Sequence, residues 1–303
     1  MNQRTGETVI ACEGLTVRYG RLTAVDNVTL AVPRGSVYAL LGRNGAGKSS
    51  LVRCLLGQYE PSAGGVRLFG RNAWKNRTSL MQRVGVVSEE SDAPPEMSVA
   101  ALARFCAQLY SRWDQDGFDA RMRAFGVPLA SRFGSLSKGQ KKEVSLALAL
   151  AMSPDLVILD DPTLGLDVVA RKSLFEEIIA ELADRGTTVF VTTHDLGGVE
   201  MLADRVGMMK GGKLVLDEEV EALKSRFRRV RLAAQPVALE AGGLGATAVR
   251  SWGSGAEAIV SNYDDLAFER FRNASGTTAA EVTPMSLEEI FVAVAGGNEG
   301  GAR

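Results

Sequence analysis

The run Gly42-Arg43-Asn44-Gly45-Ala46-Gly47-Lys48-Ser49 constrains this chain more than any other stretch. It follows a short apolar segment, residues 37–41 (VYALL), and precedes a helical apolar spacing over residues 50–56 that Gly57 ends. Glycines at these spacings let the backbone close around an anion, so that N–H groups and the N-terminus of the following helix face it. Lys48 is placed to reach the β- and γ-phosphates of a nucleotide, and the Ser49 hydroxyl to ligate Mg²⁺. Residues 42–49, with Ser50 behind them, form the expected phosphate-binding set. Such a loop needs a buried strand opening directly onto a helix, which commits this part of the chain to an α/β arrangement.

The surroundings agree. Residues 156–159 (LVIL) and 187–193 (TTVFVTT) are further apolar runs with the texture of buried parallel strands, and residues 142–152 carry helical spacing. Strand-like and helical patterns alternate from about residue 8 to 218, and a mostly helical stretch over about 97–140 reads as an insert on the sheet edge. Asp160 ends the run LVIL. A carboxylate at the C-terminal tip of a parallel strand points into the crevice where ligands bind, so Asp160 is expected at the Mg²⁺. Its bland alternative is a helix N-cap.

Past about residue 217 the texture changes. Arg226 to Leu232 read as a basic, partly alternating strand, followed by a Gly/Ala-rich stretch. A strand over 258–261 and an amphipathic helix over 264–273 come next. A final helix starts at Ser286, where Ser286 and Glu289 fit a capping box ahead of Ile290, Phe291 and Val294. The expected organisation is a nucleotide-binding α/β domain over 8–218, its helical subdomain over about 97–140, and a small C-terminal α+β domain over 222–303.

Composition narrows the partners. With 46% apolar residues, 23% charged residues and a formal net charge of −1, the chain is ordinary globular protein without the basic surplus of a nucleic-acid binder. Cys12, Cys54 and Cys106 are widely spaced and fit reduced cytosolic thiols. The opening residues lack the basic-then-apolar pattern of a secretory leader. No apolar run approaches the roughly 20 residues of a membrane span. If the protein works at a membrane, another chain does the crossing.

Motifs between and after the phosphate loop and Asp160 resemble one family. Leu136-Ser137-Lys138-Gly139-Gln140 resembles the LSGGQ signature of ABC ATPases. Residues 161–167 (DPTLGLD) resemble the EPT-x-GLD segment that ends in the D-loop residue, here Asp167. His194, the only histidine in the chain, falls where the family has its switch histidine. Tyr19 falls where an aromatic ring stacks on adenine. These ordered motifs span residues 8 to about 218.

The resemblance implies a P-loop NTPase fold of the ABC type, with ATP and Mg²⁺ bound between two subunits paired head-to-tail. Ser137 and the helix behind it would then donate to the γ-phosphate of the partner's nucleotide, and His194 would contact the γ-phosphate in its own subunit.

Three positions depart from the family pattern. The glutamate expected after Asp160 is Asp161, which keeps the carboxylate but loses about 1.5 Å of reach. A misplacement of about 1 Å can cost a hundredfold in rate, so slow hydrolysis is one expectation. Glu89 stands where the Q-loop has glutamine, with Ser88 at the preceding proline; a carboxylate there still suits Mg²⁺ or water but adds negative charge. Lys138 replaces the central signature glycine and faces either the partner's phosphate or solvent. The expected catalytic set is Asp161, His194 and Glu89; the expected Mg²⁺ ligands are Ser49, Asp160 and Glu89.

The tail MSLEEIFVAVAG resembles those of ATPase subunits that serve drug-, antibiotic- or lipid-type exporters. It implies a homodimeric ATPase working with a separate transmembrane permease, peripheral on the cytoplasmic face of the membrane. An importer ATPase and a slowly hydrolysing, nucleotide-gated interaction module are the alternatives. A soluble ABC protein acting on ribosomes or DNA fits less well, since such chains usually carry two cassettes or long coiled-coil inserts.

Overall fold

The structure, a computed structural model, describes residues 7–90, 93–166, 171, 174–179, 185–194, 196–233, 245–252, 255–275 and 280–296. They fall into two compact units divided between Asp217 and Glu218.

The first unit is built on a six-stranded sheet of order β10-β9-β3-β8-β7-β6. Its strands are β3 (Val37–Gly42), β6 (Val84–Val87), β7 (Leu156–Asp160), β8 (Thr188–Thr193), β9 (Arg205–Lys210) and β10 (Lys213–Glu219). The pairs β9/β3, β3/β8, β8/β7 and β7/β6 are parallel. Every residue of β3 and β8 is buried, as in the centre of a parallel sheet; β3 is therefore a continuous apolar run, while β8 also buries Thr188, Thr192 and Thr193. Tyr38 and Phe190, partners in register, stack with centroids 5.5 Å apart. Because the strands are parallel, the ends of β3, β6, β7 and β8 open on one edge, and the residues that follow each of them gather there.

A second, antiparallel sheet of order β2-β1-β4-β5 packs on the same core. It comprises β1 (Thr8–Tyr19), β2 (Leu22–Pro33), β4 (Ala63–Leu68) and the short β5 (Arg71–Asn72). Helix α1 (Lys48–Leu55) contributes Leu51 and Leu55 to a core shared with Val28 of β2 and Leu40 of β3.

After α2 (Arg77–Met81) and β6 come α3 (Val99–Leu109), α4 (Gln115–Ala124) and α5 (Lys138–Ala151). These last three share a core of their own around Leu102, Phe118, Met122, Phe133 and Val144. Ser98 caps α3 by accepting from the Ala101 amide, and Asp114 caps α4 by accepting from Gly117. Helices α1 and α5 start two and four residues earlier than the apolar spacing suggests. The first turn of each is polar, so periodicity does not mark it.

The second unit carries a four-stranded sheet of order β12-β13-β11-β14. The strands are β11 (Arg228–Leu232), β12 (Ala246–Trp252), β13 (Gly255–Val260) and β14 (Ala280–Pro284), and the pairs β12/β13, β13/β11 and β11/β14 are antiparallel. Val230, Ala258, Val260, Phe268 and Phe271 form its core.

Helices run over Val220–Arg226, Asp265–Ser275 and Leu287–Gly296. The basic strand therefore begins at Arg228, not Arg226. Arg226 closes the preceding helix, where its guanidinium pairs with Glu218 at 2.5 Å. The strand expected over 258–261 starts earlier, at Gly255, because Glu257 is held in the sheet by arginines from β11 and β12. The capping box forms as expected: the Ser286 amide donates to Glu289 at 2.9 Å and the Glu289 amide to Ser286 Oγ at 3.2 Å. Most of the Gly/Ala-rich stretch lies outside the described residues.

Candidate nucleotide site

The phosphate loop runs from the end of β3 into α1. Gly47 sits at the N-cap of α1 with φ 106°, and a Cβ there would lie 2.3 Å from the Ala24 carbonyl oxygen. Only glycine meets both demands. No side chain caps α1 and no acid lies in its first turn, so its leading N–H groups are left for an incoming anion.

The loop is braced from within and from the β9–β10 turn. The Ala46 amide donates to Arg43 O at 3.1 Å, Gly212 to Ala46 O at 3.1 Å, and Asp26 to Gly212 O at 2.8 Å. Lys48 is 7% exposed and donates to Gly42 O at 2.7 Å. Burial draws its ammonium below the ordinary lysine value, against the opposing pull of Asp161, Asp160 and Glu89. A cavity of about 580 Å³ opens here, lined by Asn44 through Ser50, by Glu89, Asp160 and Asp161, and by Tyr19 at its rim.

The acidic side is organised by Thr192, a fully buried residue of β8 in register with Asp160. Its hydroxyl donates to Asp160 Oδ1 at 2.5 Å. Its carbonyl and hydroxyl oxygens both accept from the Asp161 amide, at 3.0 and 3.2 Å. Asp160 is the last residue of β7 and caps no helix.

Asp161 adopts φ 46°, a left-handed conformation that Asp and Asn tolerate better than longer side chains. It is 8% exposed. His194 Nδ1 lies 2.9 Å from both of its carboxylate oxygens and is hydrogen-bonded to Oδ2. Oδ1 is left buried with no hydrogen-bond partner among the described residues.

Ser88 and Glu89, both exposed, follow β6. Their backbone carbonyls accept from Lys142 Nζ at 2.5 and 2.6 Å. Lys142 is 4% exposed; burial lowers its ammonium, while Glu89, Asp161, Asp160 and Glu90 pull the other way. The oxygen donors Ser49, Asp160 and Glu89 all line the cavity. That set fits Mg²⁺, which takes one or two carboxylates and keeps substrate phosphates and waters as its other ligands.

Tyr19 ends β1 against Tyr59, with ring centroids 5.0 Å apart and a tilt of 54°, and Leu22, Thr23 and Ala24 continue that rim. The signature residues Leu136, Ser137, Lys138, Gly139 and Gln140 do not line this cavity. Ser137 is the N-cap of α5: its Oγ accepts from the Gln140 amide at 3.2 Å, and its own amide donates to Gln140 Oε1 at 3.1 Å. Lys138, next to it, is exposed. Asp167 lies outside the described residues.

Three contributors were not singled out from the sequence. Thr192 sits in VTTHD beside the switch histidine, a usable signal. The pair Gly211-Gly212 marks a turn but not what the turn touches. Nothing local distinguishes Lys142 from any polar residue near a helix start.

A family model described as ABC transporter matches residues 25–164. The bacitracin transport ATP-binding protein BcrA of Bacillus licheniformis is 32% identical over 224 residues, 73% of each chain. The Nod factor export ATP-binding protein I of Burkholderia orbicola (strain AU 1054) is 35% identical over 217 residues, covering 68% of this chain and 69% of that one. A solved ATP-binding subunit of an ABC transporter superposes with a TM-score of 0.66 at 25% identity, covering 72% of this chain and 92% of that chain. On these likenesses, with a phosphate loop, an acidic strand end and a histidine gathered on one sheet edge, the chain belongs to the ABC transporter family, as one of its ATP-binding, ATP-hydrolysing subunits.

Proposed function

We propose that this subunit binds MgATP in the cleft between α1 and the ends of β6, β7 and β8, and that two copies close head-to-tail around two nucleotides to drive export through a separate transmembrane chain. One observation carries the site: an uncapped helix N-terminus, a buried lysine and the carboxylate residues Asp160 and Asp161 meet in one cavity.

Lys48 and the loop amides hold the triphosphate. Ser49, Asp160 and Glu89 are the residues that would hold Mg²⁺, which supplies charge neutralisation at the phosphates. Asp161 orients and deprotonates the attacking water, while His194 fixes the Asp161 carboxylate from one side and faces the γ-phosphate. Tyr19 stacks on the base, with Leu22 to Ala24 flanking it. Ser137 of the partner copy completes each site across the interface.

Export is favoured by relatives named for bacitracin transport and Nod factor export. Because the relatives are named as ATP-binding proteins of transport and export, the crossing is assigned to another chain, with this subunit on the cytoplasmic face; among the described residues no helix is long and apolar enough to cross a membrane.

Replacing Lys48 with Ala tests the assignment. It removes the buried ammonium that faces the phosphates, a charge-assisted contact set whose loss weakens MgATP binding by on the order of tenfold or more and ends turnover. Titration with a fluorescent ATP analogue and phosphate release measure both. Unchanged affinity and activity in the variant would overturn the site.

A further inference from the structure

Lys142 has a position that nothing in its own sequence neighbourhood announces. It lies on the second turn of α5, the helix whose N-cap is Ser137, yet its side chain runs inward and is almost wholly buried. Its ammonium ends on two backbone carbonyls of a different element, those of Ser88 and Glu89 just past β6, at 2.5 and 2.6 Å. Both are short, charge-assisted bonds, the stronger class of hydrogen bond in a protein interior. A lysine buried on a helix that could have turned it to solvent costs desolvation, so its retention calls for a compensating contact.

The two ends of this contact face different things. Glu89 lines the cavity of its own subunit, whereas Ser137 does not. In the head-to-tail dimer proposed above, on which this reading rests, Ser137 meets the nucleotide of the other subunit. Lys142 joins the Glu89 backbone to α5, and the stretch of helix between it and Ser137 is hydrogen-bonded, with Lys141 N donating to Ser137 O at 2.9 Å.

We infer that Lys142 is a positioning residue for hydrolysis: its ammonium ties α5 to the Glu89 backbone, so that the signature turn offered to one nucleotide and the loop touching the other shift as one body. Capture of a nucleotide by Ser137 would then set Glu89 at the opposite site, and occupancy at one site would be felt at the other.

The reading is tested in the full chain with Lys142→Met, which keeps an unbranched apolar stem and removes the donors. Phosphate release should show kcat down about tenfold to a hundredfold, the range for a catalytic group displaced by about 1 Å, with KM for MgATP within about threefold. Lys142→Arg, which keeps charge and donors, should recover most of the loss.

Hydrogen exchange reads the coupling itself, in an Asp161→Asn background that retains ATP. In that parent, ATP should protect residues 85–90 and 138–145 together. With Lys142→Met added, residues 138–145 should still respond while residues 85–90 lose the ATP-dependent part of their protection. A role confined to packing would lower the melting temperature and leave kcat, KM and the joint protection as in the parent, and that result overturns the inference. Should the methionine variant fail to fold, Lys142→Gln, which removes the charge and leaves a shorter neutral amide, is judged by the same criteria. A parent chain that neither binds ATP nor dimerises with it sinks the head-to-tail reading first, and this inference with it.

Discussion

At Asp161 a single methylene separates two accounts of this enzyme. The side chain is shorter than the glutamate of the family pattern, yet the backbone beneath it is left-handed, at φ 46°, where a short polar residue costs least. The same backbone bonds to Thr192 aim the carboxylate at His194. Asn tolerates that conformation as well as Asp does, so Asp161→Asn tests charge without disturbing the turn. It should keep ATP bound and lower steady-state phosphate release by on the order of a hundredfold or more, the range for loss of a general base. Asp161→Glu should preserve or raise turnover if the aspartate works through a bridging water, at about 1 kcal/mol in stability for the left-handed glutamate. Turnover in Asp161→Asn equal to that of the parent would strike Asp161 from the catalytic set. Its position after Asp160 was legible in the sequence; its strained backbone and its pairing with His194 were not, because both depend on β8 lying beside β7.

The element that most repays attention is α5. Its first turn holds Lys138 and Lys141, with Lys142 just behind them, and no acid, an arrangement that works against the helix dipole. A helix built in this way is poised for a negative group at its N-terminus, which the partner's nucleotide supplies in the proposed dimer. Ser137→Arg fills that space while leaving the subunit's own cavity untouched, since Ser137 is not among its walls. Loss of the Ser cap alone costs about 1 kcal/mol, too little to unfold the helix in its packed context. Light scattering in the Asp161→Asn background should show ATP-dependent dimers that Ser137→Arg abolishes, with ATP affinity of the monomer retained. Dimers of the arginine variant at the ATP concentrations that suffice for the parent would refute the assignment of the signature turn to the interface.

Across the whole chain, the two units rest on different physics. The first buries continuous apolar strands. The second gathers charge on its sheet, where Glu257, 3% exposed, meets Arg231 at 2.8 Å and Arg250 at 2.6 Å, with Arg229 at 3.7 Å. Burial alone would raise the Glu257 carboxyl, but hydrogen bonds from Arg231 and Arg250 and the charges of Arg250 and Arg229 hold it below its ordinary value of 4.5. A carboxyl lowered in the folded state stabilises it fully above the unfolded value, and that contribution is lost as pH falls through the folded one. The second unit should therefore loosen on acidification below about pH 4, while at neutral pH the network is intact. Replacing Glu257 with Gln leaves three guanidiniums without their shared anion. It should cost roughly 2 to 3 kcal/mol, less than a fully buried pair because the arginines are partly exposed. Hydrogen exchange in β11 and β13 of the full chain reads the effect; unchanged protection at neutral pH would show the network to be dispensable.

Sequence by itself determined that a phosphate loop sits between a buried strand and a helix, that Asp160 ends a parallel strand, and that the signature, switch and aromatic positions follow in family order. Those features are local: each is set by glycine conformation, apolar run length or spacing within a few turns of chain. Tertiary structure alone decided what depends on which strands are neighbours. Thr192 reaches Asp160 and Asp161 only because β8 lies against β7. The turn at Gly211 and Gly212 supports the phosphate loop only because β9 lies against β3. Lys142 finds the carbonyls of Ser88 and Glu89 across more than fifty residues of chain because the helical layer folds back onto the end of β6. A side chain's partner across such a distance is chosen by sheet order and packing, which no short stretch of sequence encodes.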